Sequence, residues 1–161
     1  MNRVFLGLGS NLGDRRVFIS GAIKRLSEYP GLAISQCSSF YESEPVGYTL
    51  QNTFFNAVLE ISYAFDPETL LDTVKEVECE MGRSGSFQWG PREIDIDILF
   101  FNAHICESRR LSIPHPELYK RRFVLEPLAE IAPDFLCPVT ELSVKELLRI
   151  CEDKSDVSIM I

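Results

Sequence analysis

No apolar run in this 161-residue chain approaches the length needed to cross a bilayer. The opening Met1-Asn2-Arg3-Val4-Phe5-Leu6-Gly7-Leu8-Gly9 is too short for a secretory leader, has no cleavage pattern, and reads as a first strand. Histidine is scarce, with only His104 and His115, and no C-x-x-C occurs among Cys37, Cys79, Cys106, Cys137 and Cys151. That scarcity argues against zinc and for buried, reduced thiols in a cytoplasmic protein. Basic charge is also short: 16 Lys and Arg face 24 Asp and Glu, for a net charge of −8. A broad nucleic-acid surface is therefore not expected. Repeats, low-complexity tracts and linkers are missing too. A single domain over residues 1–161 is expected, monomeric, with no membrane partner and a core large enough to be stable unaided.

The little basic charge present is concentrated. Arg83, Arg92, Arg109, Arg110, Arg121 and Arg122 fall in one stretch, which suits a small polyanion better than a long one. Within that stretch Ile94, Ile96 and Ile98 alternate with Asp95 and Asp97. Period two is the signature of a strand, so both carboxylates leave one face, with Cα atoms about 6.5 Å apart. Bare, they would repel by about 2–3 kcal/mol at an effective dielectric of about 20. A solvated outer face is the ordinary reading of D-x-D. The strongly apolar flanks Ile98-Leu99-Phe100 place this pair on a central strand, where Asp is disfavoured and needs a reason. A divalent cation between them supplies one, and oxygen-only ligands favour Mg²⁺. Acid pair, arginines and Trp89 together suggest a Mg-nucleotide site.

The elements follow in a legible order. Arg3–Gly9 is a strand, and Asp14 caps a helix to about Tyr29, with Ile19, Ala22, Ile23 and Leu26 on one face. Leu32 to about Tyr41 is a second strand, Glu44 to Asn52 a loop, and Phe54–Tyr63 a third strand. Asp66-Pro67-Glu68 opens a helix that Gly82 stops. Ile94–Phe101 is a fourth strand, Arg122–Ile131 a short helix containing Pro127, and Ser143-Val144-Lys145-Glu146 a capping box. The order β-α-β-β-α-β predicts an α+β fold, a ferredoxin-like sandwich. Its four-stranded antiparallel sheet carries two helices on one face and a C-terminal extension.

Several segments resemble one known family in sequence order. Gly9-Ser10-Asn11-Leu12-Gly13-Asp14, Ser39-Phe40-Tyr41-Glu42-Ser43-Glu44-Pro45-Val46-Gly47 and Phe54-Phe55-Asn56-Ala57-Val58 are similar to motifs of 6-hydroxymethyl-7,8-dihydropterin pyrophosphokinases. So are Glu78-Cys79-Glu80-Met81-Gly82-Arg83, Trp89-Gly90-Pro91-Arg92-Glu93-Ile94-Asp95-Ile96-Asp97-Ile98-Leu99, Pro114-His115-Pro116 and Arg121-Arg122-Phe123-Val124-Leu125-Glu126-Pro127-Leu128. The resemblance implies transfer of pyrophosphate from ATP to the pterin hydroxymethyl oxygen in folate biosynthesis, with AMP as the second product. It implies two Mg²⁺ ions at Asp95 and Asp97, and Arg83 and Arg92 on the transferred group. Trp89, Arg110, Ser112, His115 and Arg121 would contact ATP. Phe54 and Phe123 would stack on the pterin, with Asn56 at its edge, Trp89 as a wall and Ser43 and Val46 completing the pocket. Each arginine, taken singly, has the alternative of a surface ion pair, and Phe54 that of a core aromatic.

Gly9–Asp14 lacks the Lys of a phosphate-binding loop and reads as a turn from strand to helix. Glu78 either orients a loop or pairs with an arginine. Where relatives often carry basic residues, Ser84-Gly85-Ser86-Phe87-Gln88 is uncharged; the resemblance makes the loop Gly82–Gln88 a lid over ATP, with Arg83 as its remaining charged contact. Phe54 stands where relatives often have Tyr. Two other readings remain: a non-enzymatic ligand-sensing domain, which leaves the Asp pair unexplained, and a kinase releasing ADP.

Overall fold

The computed structural model describes residues 1–45, 50–82 and 93–160. Strand β1 (Asn2–Ser10) lies between β4 (Phe54–Tyr63) and the edge strand β5 (Asp95–Phe101), antiparallel to both. On the far side of β4 run β2 (Leu32–Cys37) and β3 (Tyr41–Ser43), one beyond the other. Strand β8 (Val157–Ile159) extends the sheet past β3, so six strands form it, not four.

The extra strands have identifiable causes. The expected second strand breaks at Ser38-Ser39-Phe40, because serine groups take over from the ladder. The Ser38 hydroxyl donates to the Ser39 carbonyl (2.7 Å) and accepts from the Val58 N–H (2.9 Å), and the Ser39 N–H donates to the Glu130 carboxylate. Short hydroxyl side chains compete with the backbone in this way. β8 was not expected; its Val157 and Ile159 pair with Ser43 and Tyr41. A separate two-stranded hairpin joins β6 (Cys106–Glu107) to β7 (Ser112–Ile113).

Helices α1 (Arg15–Ser27) and α2 (Pro67–Glu80) cover one sheet face. Asp14 caps α1 through the Val17 N–H, and Asp66 caps α2 with Pro67 behind it. Ile19, Ala22 and Leu26 of α1 and Leu70, Val74 and Val77 of α2 pack on Val4, Leu6 and Leu8 of β1. Gly82, at φ +80°, closes α2 in a left-handed conformation that glycine tolerates without strain.

The second face carries α3 (Arg122–Ile131) and α4 (Val144–Ile150) over Phe5, Val58 and Phe100. The architecture is therefore three layers, helix–sheet–helix. The cover stops short of one end of the sheet. There, alternation from Phe5 brings Gly7 and Gly9 to the surface, from Val58 brings Asn56 and Phe54, and from Leu99 brings Asp97 and Asp95. Among the described residues no helix is long and apolar enough to cross a membrane.

Candidate active site

That uncovered end is the floor of a cavity of about 520 Å³, within the range of small-molecule sites. Gly9 is in register with Asn56 on β4 and with Asp95 on β5; Gly7 is likewise between Val58 and Asp97. The carboxylates and the amide thus flank a strip of bare backbone. Strand spacing puts Asp95 and Asn56 about 10 Å apart. A cation site and a ring-recognition site fit side by side at that separation.

The Asn56 amide is 5% exposed and donates to the Ser43 hydroxyl at 2.7 Å, also buried. This bond ties β4 to β3 at the pocket wall and fixes the plane of the amide. Phe54, one strand period away, and Phe123 near the start of α3 line the same cavity. The Arg121 guanidinium lies 5.7 Å from the Phe123 ring centroid.

The β6–β7 hairpin brings Arg110 and Ser112 to the rim, and the His115 N–H holds on to the Leu99 carbonyl at 3.1 Å. The Nδ1 of His115 accepts from the Glu117 N–H (3.1 Å), so in the neutral ring the proton is on Nε2, which sits 3.7 Å from Asp97 Oδ1. Burial, with help from the Arg121 charge, pushes the His115 ring below its ordinary pKa, against the opposing fields of Asp95 and Glu117. A neutral donor next to a carboxylate suits a phosphate-binding wall.

Arg110 behaves differently from the expectation of a phosphate ligand. Its guanidinium pairs with Glu68 (3.1 Å) and Asp72 (2.5 Å) on α2, at half exposure. It reaches the rim of the cavity already held by two carboxylates. Arg83, Arg92, Trp89 and Val46, and with them the expected lid, lie outside the described residues. The remaining expected residues, Ser43, Phe54, Asn56, Asp95, Asp97, Ser112, His115, Arg121 and Phe123, share the one cavity with Arg110.

Sequence reasoning missed the glycine floor. Its signal was present: Gly7 and Gly9 alternate with Leu6 and Leu8, which is a strand face without side chains. It also missed Lys75 and Glu44, which line the cavity. Glu78 braces strand β5. It is 4% exposed and its Oε2 accepts from the Ile96 N–H at 2.8 Å, between the two aspartates. Gly9 and Ser10 end β1 and residues 11–14 turn the chain into α1, and Asn11 there donates to Gln51 Oε1 (2.6 Å) and the Asn52 carbonyl (3.2 Å), anchoring the end of the 44–52 loop.

The donor set suits Mg²⁺. Among the described residues no cluster of three or more His, Cys, Asp or Glu forms a complete protein cage. Mg²⁺ does not need one: it is usually held by one or two carboxylates, with waters and substrate phosphates making up the shell.

Residues 5–133 match the family described as 7,8-dihydro-6-hydroxymethylpterin-pyrophosphokinase. A 2-amino-4-hydroxy-6-hydroxymethyldihydropteridine pyrophosphokinase of Bacillus subtilis is 39% identical over 97% of this chain and 94% of its own. The enzyme of that name from Aquifex aeolicus is 44% identical over 91% of this chain and 90% of its own. Among solved structures, Plasmodium falciparum HPPK-DHPS with pteroate superposes with a TM-score of 0.73 at 19% identity. It covers 92% of this chain, which spans only 42% of that longer one, and it supports the fold alone. The chain belongs to the 7,8-dihydro-6-hydroxymethylpterin-pyrophosphokinase family.

Proposed function

We propose that the cavity over Gly7 and Gly9 is where this ATP-dependent diphosphotransferase joins its two substrates, ATP and 6-hydroxymethyl-7,8-dihydropterin. The pterin hydroxymethyl oxygen attacks the β-phosphorus of ATP. The bond from that phosphorus to the bridging α,β-oxygen breaks, AMP leaves with the oxygen, and the hydroxyl proton is released. The observation that carries the assignment is the register across β1: Asp95 on one side of Gly9, Asn56 on the other.

Two Mg²⁺ ions fit the reading: Asp95 and Asp97 would hold them, and the ions would supply neutralisation of the charge on the triphosphate and the attacking oxygen. The chain itself supplies position, which matters most in phosphoryl-type transfer. Phe54 and Phe123 hold the flat ring between apolar faces, and Asn56, fixed by Ser43, reads its edge. His115 Nε2–H, the Ser112 hydroxyl and Arg121 meet phosphate oxygens, and Arg110 joins them if it exchanges its α2 carboxylates for a phosphate. Arg83, Arg92, Trp89 and Val46 complete the site by resemblance.

We read residues 1–161 as one such domain, acting as a monomer in the cytoplasm. Its β5-β1-β4-β2 order, with the two crossover helices α1 and α2, supports a ferredoxin-like core inside the larger sheet. ³¹P NMR of protein, MgATP and hydroxymethyl-dihydropterin tests the reaction. AMP and pterin diphosphate are expected in equal amounts. Stoichiometric ADP would overturn the reaction type.

A further inference from the structure

The family match ends at residue 133, yet two contacts from beyond it reach α3 and β3, which carry Phe123 and Ser43 of the cavity lining. The first is at the start of α3. This helix has no side-chain cap of its own: Arg121 occupies the cap position without bonding the first turn. The Asp153 carboxylate substitutes from the chain terminus, accepting from the Arg122 N–H at 3.0 Å. Free N–H groups and the positive end of a helix both favour a carboxylate there. Asp153 is held in turn, since its other oxygen accepts from the Ser155 N–H (3.0 Å) and hydroxyl (2.6 Å). Burial pushes its carboxyl up, but the bonds from Ser155 and Arg122 prevail and hold it below the ordinary value of 3.8.

The second contact follows within four residues. β8 pairs with β3 in the register Ser43↔Val157, on the edge opposite β4. Ser43 is therefore clamped between β8 and the Asn56 side of β4. One short segment, 153–159, thus backs Phe123 through its neighbour Arg122 and backs Asn56 through Ser43.

We infer that the C-terminal segment sets pterin affinity, with Asp153 as the positioning residue for Phe123. This rests on the reading of Phe54, Asn56 and Phe123 as the pterin pocket. A phenyl ring turns on two torsions and cannot absorb a backbone displacement of its helix. The long stem of Arg121 can, so ATP contacts are spared.

The test compares Asp153→Ala, Asp153→Asn and Ser155→Ala in the full chain, by steady-state kinetics in each substrate and by thermal unfolding. Asp153→Ala should raise the pterin KM about tenfold, as loss of a charge-assisted hydrogen bond does. The ATP KM, and kcat at saturating pterin, should stay within about twofold. Asp153→Asn keeps one acceptor oxygen and should fall between Ala and the parent. Ser155→Ala should raise the pterin KM about threefold. An unchanged pterin KM, or equal rises in both KM values, overturns the inference; if Asp153→Ala does not fold, the other two variants decide by the same criteria. The parent enzyme separates the two levels. If it makes no pterin diphosphate, the reading of the pocket fails and the inference falls with it; if it does, a missing KM split refutes the inference alone.

Discussion

A Cβ built on Gly9 would lie 3.4 Å from Asn56 Oδ1 and 3.6 Å from the Phe54 ring, in space that the proposed pterin needs. The position is ordinary extended strand, so alanine meets no backbone strain there. Gly9→Ala should therefore fold with near-parental stability and still weaken pterin binding. Overfilling a tight site costs about 1–2 kcal/mol, or roughly tenfold in Kd. Calorimetry of pterin binding checks it, and an unchanged Kd would move the pocket floor elsewhere. The contrast between Asn56 and Gly9 shows what a sequence displays at this scale. An amide inside an apolar strand announces itself by chemistry. A missing side chain announces nothing until the neighbouring strands are known. Arg110 is an intermediate case: its charge is obvious, but Glu68, 42 residues away, is an ion-pair partner only the fold could supply.

At the scale of elements, strand and helix periods were legible wherever local chemistry decided them. The caps at Asp14, Asp66 and Ser143 all lie where the sequence puts them. The break between β2 and β3 was not legible, because α3 enforces it from far along the chain. The Glu130 carboxylate accepts from the Ser39 N–H (3.0 Å), the Ser39 hydroxyl (3.0 Å) and the Tyr41 hydroxyl (2.6 Å). Burial, followed by the hydrogen bond to Glu130, pushes the Tyr41 phenol above its ordinary pKa, so it stays a donor at all working pH. Glu130→Ala removes every one of these bonds and should cost about 2 kcal/mol of stability. Tyr41→Phe removes one bond and should cost about half as much. For a chain of this size that is a fall in Tm of roughly 4–8 °C for the first variant. Calorimetric unfolding reads it directly. Equal, negligible shifts in both variants would show that the break persists without the latch. β8 was hidden for a related reason: Val157-Ser158-Ile159 is too short to signal a strand, and only the open edge of β3 makes it one.

At the scale of the whole molecule the site sits in an unfavourable field. Net charge is −8, and in the cavity lining Asp95, Asp97, Glu44 and Glu78 offset the cations Lys75, Arg109, Arg110 and Arg121. Beyond a Debye length, about 8–10 Å in physiological salt, that net charge is largely screened, and within it a triphosphate meets the carboxylates of the lining as well as its cations. Arg109, Arg110 and Arg121 of the lining act at that same close range. On the proposed reading, a divalent cation relieves the like-charge repulsion between the triphosphate and the Asp pair. Free ATP should accordingly bind at least about tenfold more weakly than MgATP. A ligand stabilises the fold by RT ln(1 + [L]/Kd), so the difference is readable as a thermal shift. Saturating MgATP should raise Tm by several degrees, ATP with EDTA by much less, and Mg²⁺ alone by little, since two carboxylates without phosphates hold it weakly. Asp97→Ala should abolish the advantage of MgATP over free ATP while leaving the ligand-free Tm nearly unchanged. Its AMP production should fall by at least about a hundredfold, because transition-state charge is left uncompensated. Equal shifts with and without EDTA in the parent protein would show that the basic residues alone outweigh the acidic field, and the metal assignment at Asp95 and Asp97 would be lost.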